Sequence, residues 1–256
     1  MADVVNGLWI GESLGPIQRL SITSFLHHGH GYNLYTYQTV KNVPAGVTLK
    51  DGNEVLPASA IFYGKGGVSA GNVAGFSDLF RYKLLLENGG WWVDTDLICL
   101  KEFDFPEPMI LASEETKEGG MQVVGGTLKA PTGHPVIQRC YEIAAARDPR
   151  TINWGDIGPR LLAQVVADFG MGGFVQNPEV FCPIPWWKWH LVLERDSSLC
   201  RPFIGAETYG IHLWNEFWRR FGLTQATSFP PGCFFSELHR QFGLPAPVSA
   251  ENQGDR

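Results

Sequence analysis

The chain has 256 residues with 20 Lys+Arg against 26 Asp+Glu, a formal net charge of −6, and only 18% charged residues where average soluble domains carry about 25%. Its 44% hydrophobic content excludes a disordered chain, its 30 glycines and 17 prolines follow no repeat that would make it fibrous, and its acidic balance excludes the basic face that a nucleic-acid partner requires. Nine tryptophans and 16 phenylalanines, without any run of about 18–20 apolar residues that would span a membrane, must be buried or must line a site.

Gly7-Leu8-Trp9-Ile10-Gly11 reads as a buried strand opening into a loop. Apolar residues at Ile17, Leu20, Ile22 and Phe25 predict a helix from Pro16 to Phe25, closed by His27-His28-Gly29, and Tyr32 to Val40 alternates as a second strand. This β-α-β opening points to a parallel sheet with covering helices. Residues 41–74 are turn-rich and have no assignment. Phe76 to Asn88 has helical spacing stopped by Gly89-Gly90, and Trp91-Trp92-Val93 is a strand ending in Asp94-Thr95-Asp96 before Leu97 to Leu100 resumes. Met109–Ser113 and Met121–Leu128 read as strands, His134–Arg147 as a helix, and Gly158-Pro159 opens a helix to Phe169. The last third is aromatic and rich in proline, and runs through Trp186-Trp187-Lys188-Trp189 to a final element over Ile211–Arg220. One domain is expected over residues 1–245, with a flexible tail over 246–256.

The five cysteines are scattered without a CxxC pair, which fits reduced thiols better than a disulfide framework. The start lacks the basic and long apolar regions of a signal peptide. The expectation is a soluble, cytoplasmic protein.

Asp94 and Asp96 stand two apart at a strand end, so a period of two predicts that both carboxylates project to one side while Thr95 points away. Two hard oxygen donors so placed suit Mg²⁺ or Mn²⁺ and leave positions open for phosphate oxygens. An Asp-x-Asp alone is weak, because a solvated pair would look the same, but this one emerges directly from an apolar strand. On the preceding helix Asp78 and Arg81 are i, i+3 neighbours: either an ordinary surface ion pair or a carboxylate accepting sugar hydroxyls while Arg81 sets its orientation.

The stretch from Phe76 to Asp96, with Ser77-Asp78-x-x-Arg81 on a helix, Gly89-Gly90, an aromatic pair and Asp94-x-Asp96, resembles the signature of glycosyltransferases with a DXD sugar-binding region. That group includes the initiating mannosyltransferases, the α-1,4-galactosyltransferases and bacterial capsular polysaccharide transferases. Leu8-Trp9-Ile10-Gly11 is similar to the family's opening strand, Asp156-Ile157-Gly158-Pro159 to its Gly-Pro helix start, and His212-x-Trp214-Asn215 to its C-terminal segment. Trp92 stands where the family usually has Tyr. That departure, with a short chain lacking a membrane anchor, points to a bacterial-type cytosolic enzyme.

The resemblance implies a GT-A-type α/β fold: a Rossmann-like mixed, mostly parallel sheet flanked by helices. It implies metal-dependent transfer of a sugar from a UDP- or GDP-sugar donor to a glycan or lipid-linked saccharide acceptor, with retention of configuration. Asp94 and Asp96, with His212 as a third contact, would hold Mn²⁺ or Mg²⁺. Asp78 and Arg81 would bind the donor sugar, Trp9 would stack on the base or simply fill the core, and Asn215 would touch the donor. Trp186 to Trp189 could floor an acceptor site, touch a membrane surface peripherally, or pack beneath a proline-rich loop. His27, His28 and His30 read as a solvated helix end, and Glu114-Glu115 as surface charge in a polar loop. Two rival readings are a haloacid-dehalogenase-type phosphatase, whose Asp-x-Asp lies near the start of its domain, and a non-catalytic carbohydrate- or nucleotide-sugar-binding protein of the same fold.

Overall fold

The computed structural model describes residues 2–66, 70–223 and 229–245; the tail expected over 246–256 lies outside them. The chain opens with β1 (Val5–Trp9), α1 (Pro16–His27) and β2 (Tyr32–Thr36). Pro16 presets the first helical turn, where no N–H is missed, and the Gln18 side chain accepts the Gly15 N–H at 3.2 Å. The unassigned stretch holds a strand, β3 (Val47–Asp51), then short 3₁₀ turns at Gly52–Glu54 and Ala58–Ala60. Its edge position explains the missing signal: Leu49 is exposed and no face alternates cleanly.

α2 (Ala74–Asn88) ends at Gly89, whose φ of 64° suits glycine and where a Cβ would lie 2.6 Å from the Thr132 backbone N. β4 (Gly90–Val93) and β5 (Leu97–Cys99) follow, joined by a tight turn closed by the Leu97 N–H on the Asp94 carbonyl. Next come β6 (Ile110–Glu115), β7 (Met121–Ala130), α3 (Pro135–Ala145), α4 (Pro159–Asp168) and the single turn α5 (Pro178–Phe181). Trp186–Leu193 and Ser197–Phe203 are 3₁₀ segments. The element expected over Ile211–Arg220 is two, β8 (Gly210–His212) and α6 (Asn215–Arg220), broken at Trp214 by a left-handed residue (φ 56°, ψ 49°). α7 (Phe234–Gln241) closes the described chain.

Six strands form one sheet in the order β3-β2-β1-β4-β7-β6, and β5 pairs with β8 in a separate ribbon. β3, β2, β1 and β4 run parallel, while β7 is antiparallel to both its neighbours, so five of the six strands point one way. This mixed, mostly parallel sheet with flanking helices is the expected fold class. Trp91 and Trp92 alternate across β4 and serve opposite faces: Trp92 packs with Phe80 of α2, and Trp91 with Phe103. From β1 the chain continues outward to β2 on one side, while β4 lies on the other. β1 and β4 therefore flank the crevice where open α/β sheets bind ligands.

Candidate active site

Asp94 and Asp96 lie on the turn beyond β4, not on the strand. Strand alternation is therefore not what aligns them; the turn and its partners do that. The Asp94 N–H donates to the Gly126 carbonyl on β7 at 2.8 Å, and the Asp94 carboxylate accepts from Trp92 Nε1 at 2.9 Å and pairs with Arg81 at 3.1 Å. Asp96 is buried. It meets His212 Nε2 at 3.2 Å through Oδ1 and accepts the Asn215 backbone N–H at 2.8 Å through Oδ2. Asp94, Asp96 and His212 each offer one ligand atom, and these atoms all lie within 4.8 Å of one another. Residues far apart in sequence meet because β8 pairs with β5, placing His212 opposite Leu97.

The donor set can be tested against a cation. Two carboxylates with one imidazole suit Mn²⁺ or Mg²⁺, and a Cβ on Gly126 would stand 3.3 Å from the Asp94 carboxylate and 3.8 Å from His212 Nε2. That glycine keeps a side chain away from the Asp94 and His212 ligand atoms. Burial works against an ionised Asp96, yet the His212 imidazole and the Asn215 N–H hold its pKa below the usual carboxylate value. Burial likewise opposes a charged His212, but Asp96 raises its pKa well above the ordinary imidazole value. The residues fit the ion.

Asp78 and Arg81 are buried, so the surface-pair reading is excluded. Arg81 reaches Asp78 at 3.4 Å and Asp94 at 3.1 Å, and also donates to the Ser77 hydroxyl at 3.1 Å. One guanidinium thus fixes two carboxylates from different elements. Burial pushes Asp78 up to about 6 despite Arg81, with Asp94 adding to the rise. Gly125 and Gly158 make room for this pair: a Cβ would lie 2.4 Å from Arg81 Nη1 or 2.3 Å from Asp78 Oδ2. Asp78 also lines a small cavity of about 30 Å³, with Phe62, Asn72, Trp154 and Pro159 among its walls.

Trp9 ends β1 and lines a larger cavity of about 350 Å³ with Gln18, Asn215, Trp218 and Arg219. Its Nε1 is buried without a hydrogen-bond partner, and the ring also packs against the apolar cluster around Trp91, so Trp9 serves both the cavity wall and the core. Asn215 contributes its backbone N–H to Asp96, while its side chain accepts from Gln18 Nε2 at 3.4 Å. Trp214 lays its ring against His212, centroids 4.1 Å apart, and donates to the Ile184 carbonyl at 3.0 Å.

Two sequence readings are corrected here. Glu114 is no surface charge in a loop: it lies buried on β6, where burial pushes its carboxyl up to about 7 against the pull of His212. His30 is no solvated helix end either. It is buried, its Nδ1 2.7 Å from the Asp3 carbonyl and its Nε2 3.0 Å from the Phe103 N–H. Glu114 and the Gly125-Gly126 pair were missed as site residues. Paired glycines inside an apolar strand were the available signal, since they mark a close approach; Glu114 left no signal.

The glycosyltransferase sugar-binding region containing a DXD motif matches residues 53–117, and the alpha 1,4-glycosyltransferase conserved region matches residues 129–230. Lactosylceramide 4-alpha-galactosyltransferase of Mus musculus is 28% identical over 151 residues, 55% of this chain and 40% of the relative. Alpha-1,4-N-acetylglucosaminyltransferase of Homo sapiens is 25% identical over 153 residues, 55% of this chain and 42% of the relative. The chain spans about 40% of the length of these two relatives. Among solved structures, a PaToxG glycosyltransferase aligns with TM-score 0.48 and 15% identity, covering 67% of this chain and 71% of that one. The two matched segments hold Asp78, Arg81, Asp94 and Asp96 in the first, and Gly158, His212 and Asn215 in the second. The family resemblance read from the residues is the one these comparisons return.

Proposed function

We propose that this chain, which carries the DXD sugar-binding region and the alpha 1,4-glycosyltransferase conserved region in succession, moves a sugar from a UDP- or GDP-sugar to a saccharide acceptor in a metal-dependent reaction. The observation that carries the reading is the convergence of Asp94, Asp96 and His212 at the carboxyl edge of the sheet, beside a cavity walled by Trp9. Asp94, Asp96 and His212 would hold Mn²⁺ or Mg²⁺. Held by these three residues, a divalent cation would supply neutralisation of the diphosphate charge on the donor and on the leaving group.

The protein's own groups do the rest. Trp9 offers an aromatic wall of the cavity to the base. Asp78, as a carboxylate, accepts hydrogen bonds from sugar hydroxyls, and Arg81 holds it in register with Asp94. Asn215 keeps Asp96 aimed while its side chain lines the base cavity. Retention of configuration and a lipid-linked acceptor are expectations carried by the family resemblance. The five cysteines, all buried and unpaired, support a reducing compartment, and among the described residues no helix is long and apolar enough to cross a membrane.

Thermal unfolding with a panel of UDP- and GDP-sugars, with and without Mn²⁺, tests the reading. At least one nucleotide sugar should raise the unfolding midpoint only when the metal is present. No response to any of them overturns the proposal, and stabilisation without donor hydrolysis or transfer assigns a binding protein instead.

A further inference from the structure

The periodicity of α1 is that of an apolar helix, yet three of its polar side chains are buried at a spacing of three. Gln18 is only 4% exposed, and Ser21 and Ser24 are fully covered. Burying such groups costs free energy unless each is hydrogen-bonded, and all three are bonded around the Asp94–Asp96 turn. Ser21 Oγ donates to the Leu97 carbonyl at 2.6 Å, and Ser24 Oγ accepts the Cys99 N–H at 2.8 Å. Leu97 and Cys99 turn these groups away from β8, whose flanking residues Leu213 and Tyr209 bond Asp96 and Leu100 instead. The two serines thus pair the edge of β5 that has no neighbouring strand. Their burial is explained by the ribbon.

Gln18 is different. Its Oε1 accepts the Gly15 N–H at 3.2 Å, a helix-capping bond that a glutamate would make equally well. With Oε1 committed there, Nε2 faces the other way and donates to Asn215 Oδ1 at 3.4 Å. Only an amide brings both an acceptor and a donor to this position. Asn215 is the residue whose backbone N–H bonds Asp96 Oδ2 at 2.8 Å. It follows Trp214, whose left-handed φ of 56° is unfavourable for so large a side chain and has to be held by its surroundings. The Trp214 indole on the Ile184 carbonyl, at 3.0 Å, secures this junction on one side, and Trp186 and Trp189 stack on Phe217 farther along α6. On the α1 side the tie is the Gln18 amide.

We infer that Gln18 is a positioning residue for the cation site: through Asn215 it holds the first turn of α6, and so the N–H that aims Asp96, a role that rests on the cation reading above. The path runs from Gln18 Nε2 to Asn215 Oδ1, then from the Asn215 N–H to Asp96, whose other oxygen meets His212 at 3.2 Å. Cutting the amide bond leaves the start of α6 free to shift at its least favourable residue, and Asp96 loses its fixed aim. Groups that orient a metal ligand contribute to affinity without touching the ion. Gln18 and Asn215 also line the Trp9 cavity, so one hydrogen bond joins a wall of that cavity to a metal ligand.

Mn²⁺ binding by the full chain is followed by isothermal titration and by the EPR signal of free Mn²⁺, with no nucleotide present. Gln18→Met keeps the length and bulk of the side chain and removes both hydrogen bonds. It should bind Mn²⁺ about fivefold more weakly than the parent. Asn215→Ala cuts the same bond at a half-buried position while keeping the backbone N–H, and decides the matter alone if the Gln18 variant does not fold. Its loss should be similar, and the double variant should lose no more than either single one, because both act through one bond. Ser24→Ala is the control for stability: its unfolding midpoint should fall while its Mn²⁺ affinity stays at the parent's value. Parent-like Mn²⁺ affinity in Gln18→Met or in Asn215→Ala, additive losses in the double variant, or an equal loss in Ser24→Ala overturns the positioning role. Weaker stabilisation of Gln18→Met by UDP- and GDP-sugars at unchanged Mn²⁺ affinity also overturns it, and leaves Gln18 a wall of the cavity. Absence of Mn²⁺ binding by the parent overturns the cation reading itself, and the positioning role with it.

Discussion

Asp96 and Asp94 differ in what holds them. Asp96 is buried and spends both oxygens on His212 and Asn215, whereas Asp94 is half-exposed and shared among Trp92, Arg81 and solvent. Replacing Asp96 therefore disturbs more than one ligand. Asp96→Asn should lower donor hydrolysis by about 10²-fold or more and abolish stabilisation by Mn²⁺, read by turnover and thermal shift; retained activity would remove the pair from the metal site. Asp78 gives a pH signature. Its folded pKa of about 6 lies above the ordinary carboxylate value, so between about pH 4 and pH 6 the native state keeps a proton that the unfolded chain has released. Stability from this group is fully present below that window and falls as pH rises through it, by on the order of 3 kcal/mol. Urea unfolding of Asp78→Asn should show a gain over the parent at pH 7.5 that vanishes near pH 4; the same difference at both would contradict the assignment. These residue types and spacings were legible in the sequence. The burial that sets their charge was not, since an i, i+3 pair looks the same on a wet or a dry helix face.

Elements turn those residues into a site. α2 supplies Asp78 and Arg81, the β4–β5 turn supplies the carboxylates, and β7 passes close enough that only glycine fits at 125. Gly125→Ala should push the buried Arg81 off Asp78 and Asp94, at a cost of about 1–3 kcal/mol in equilibrium unfolding with donor affinity lost alongside. An unchanged midpoint would mean that the strand gives way instead. Trp92→Phe removes the indole N–H on Asp94 together with the larger ring that packs on Phe80 and lies over Arg81. Isothermal titration should show weaker Mn²⁺ binding, by several-fold, beside a loss of stability from the smaller buried ring that the unfolding midpoint reads separately. α1, α2 and α4 are legible from their strong apolar periodicity and the Trp91-Trp92 strand from its unbroken apolar run, since each buries its rings and aliphatic side chains in the clusters about the sheet. β3 and α7 were not read. β3 is a half-exposed edge and α7 is an eight-residue helix, too short for its period to stand out among the surrounding turns.

On the scale of the molecule, three apolar clusters are distributed about the sheet. One lies under α2, α3 and α4; a second holds Phe25, Trp91, Phe103 and Phe181 on the opposite face; a third gathers Ile98, Ile211, Trp218 and Phe235 around the β5–β8 ribbon. α1 joins the last two, since Ile17 and Leu20 pack in one and Ile22 and Phe25 in the other. Scanning calorimetry should therefore show one transition, with calorimetric and van't Hoff enthalpies equal; two resolved peaks would separate the ribbon as its own unit. Periodicity, glycine stops and motif spacing are local, and they suffice for the α/β class, the order of the main elements, the family resemblance and the identities of Asp78, Arg81, Asp94, Asp96 and His212. Long-range packing, by contrast, sets the turn that aligns the carboxylates against Arg81 and Gly126, the closure of His212 and Asn215 on Asp96, and the burial of Glu114 and His30. The closure of His212 and Asn215 on Asp96 joins residues 116 and 119 apart, and no local pattern encodes which distant strand will supply the partner.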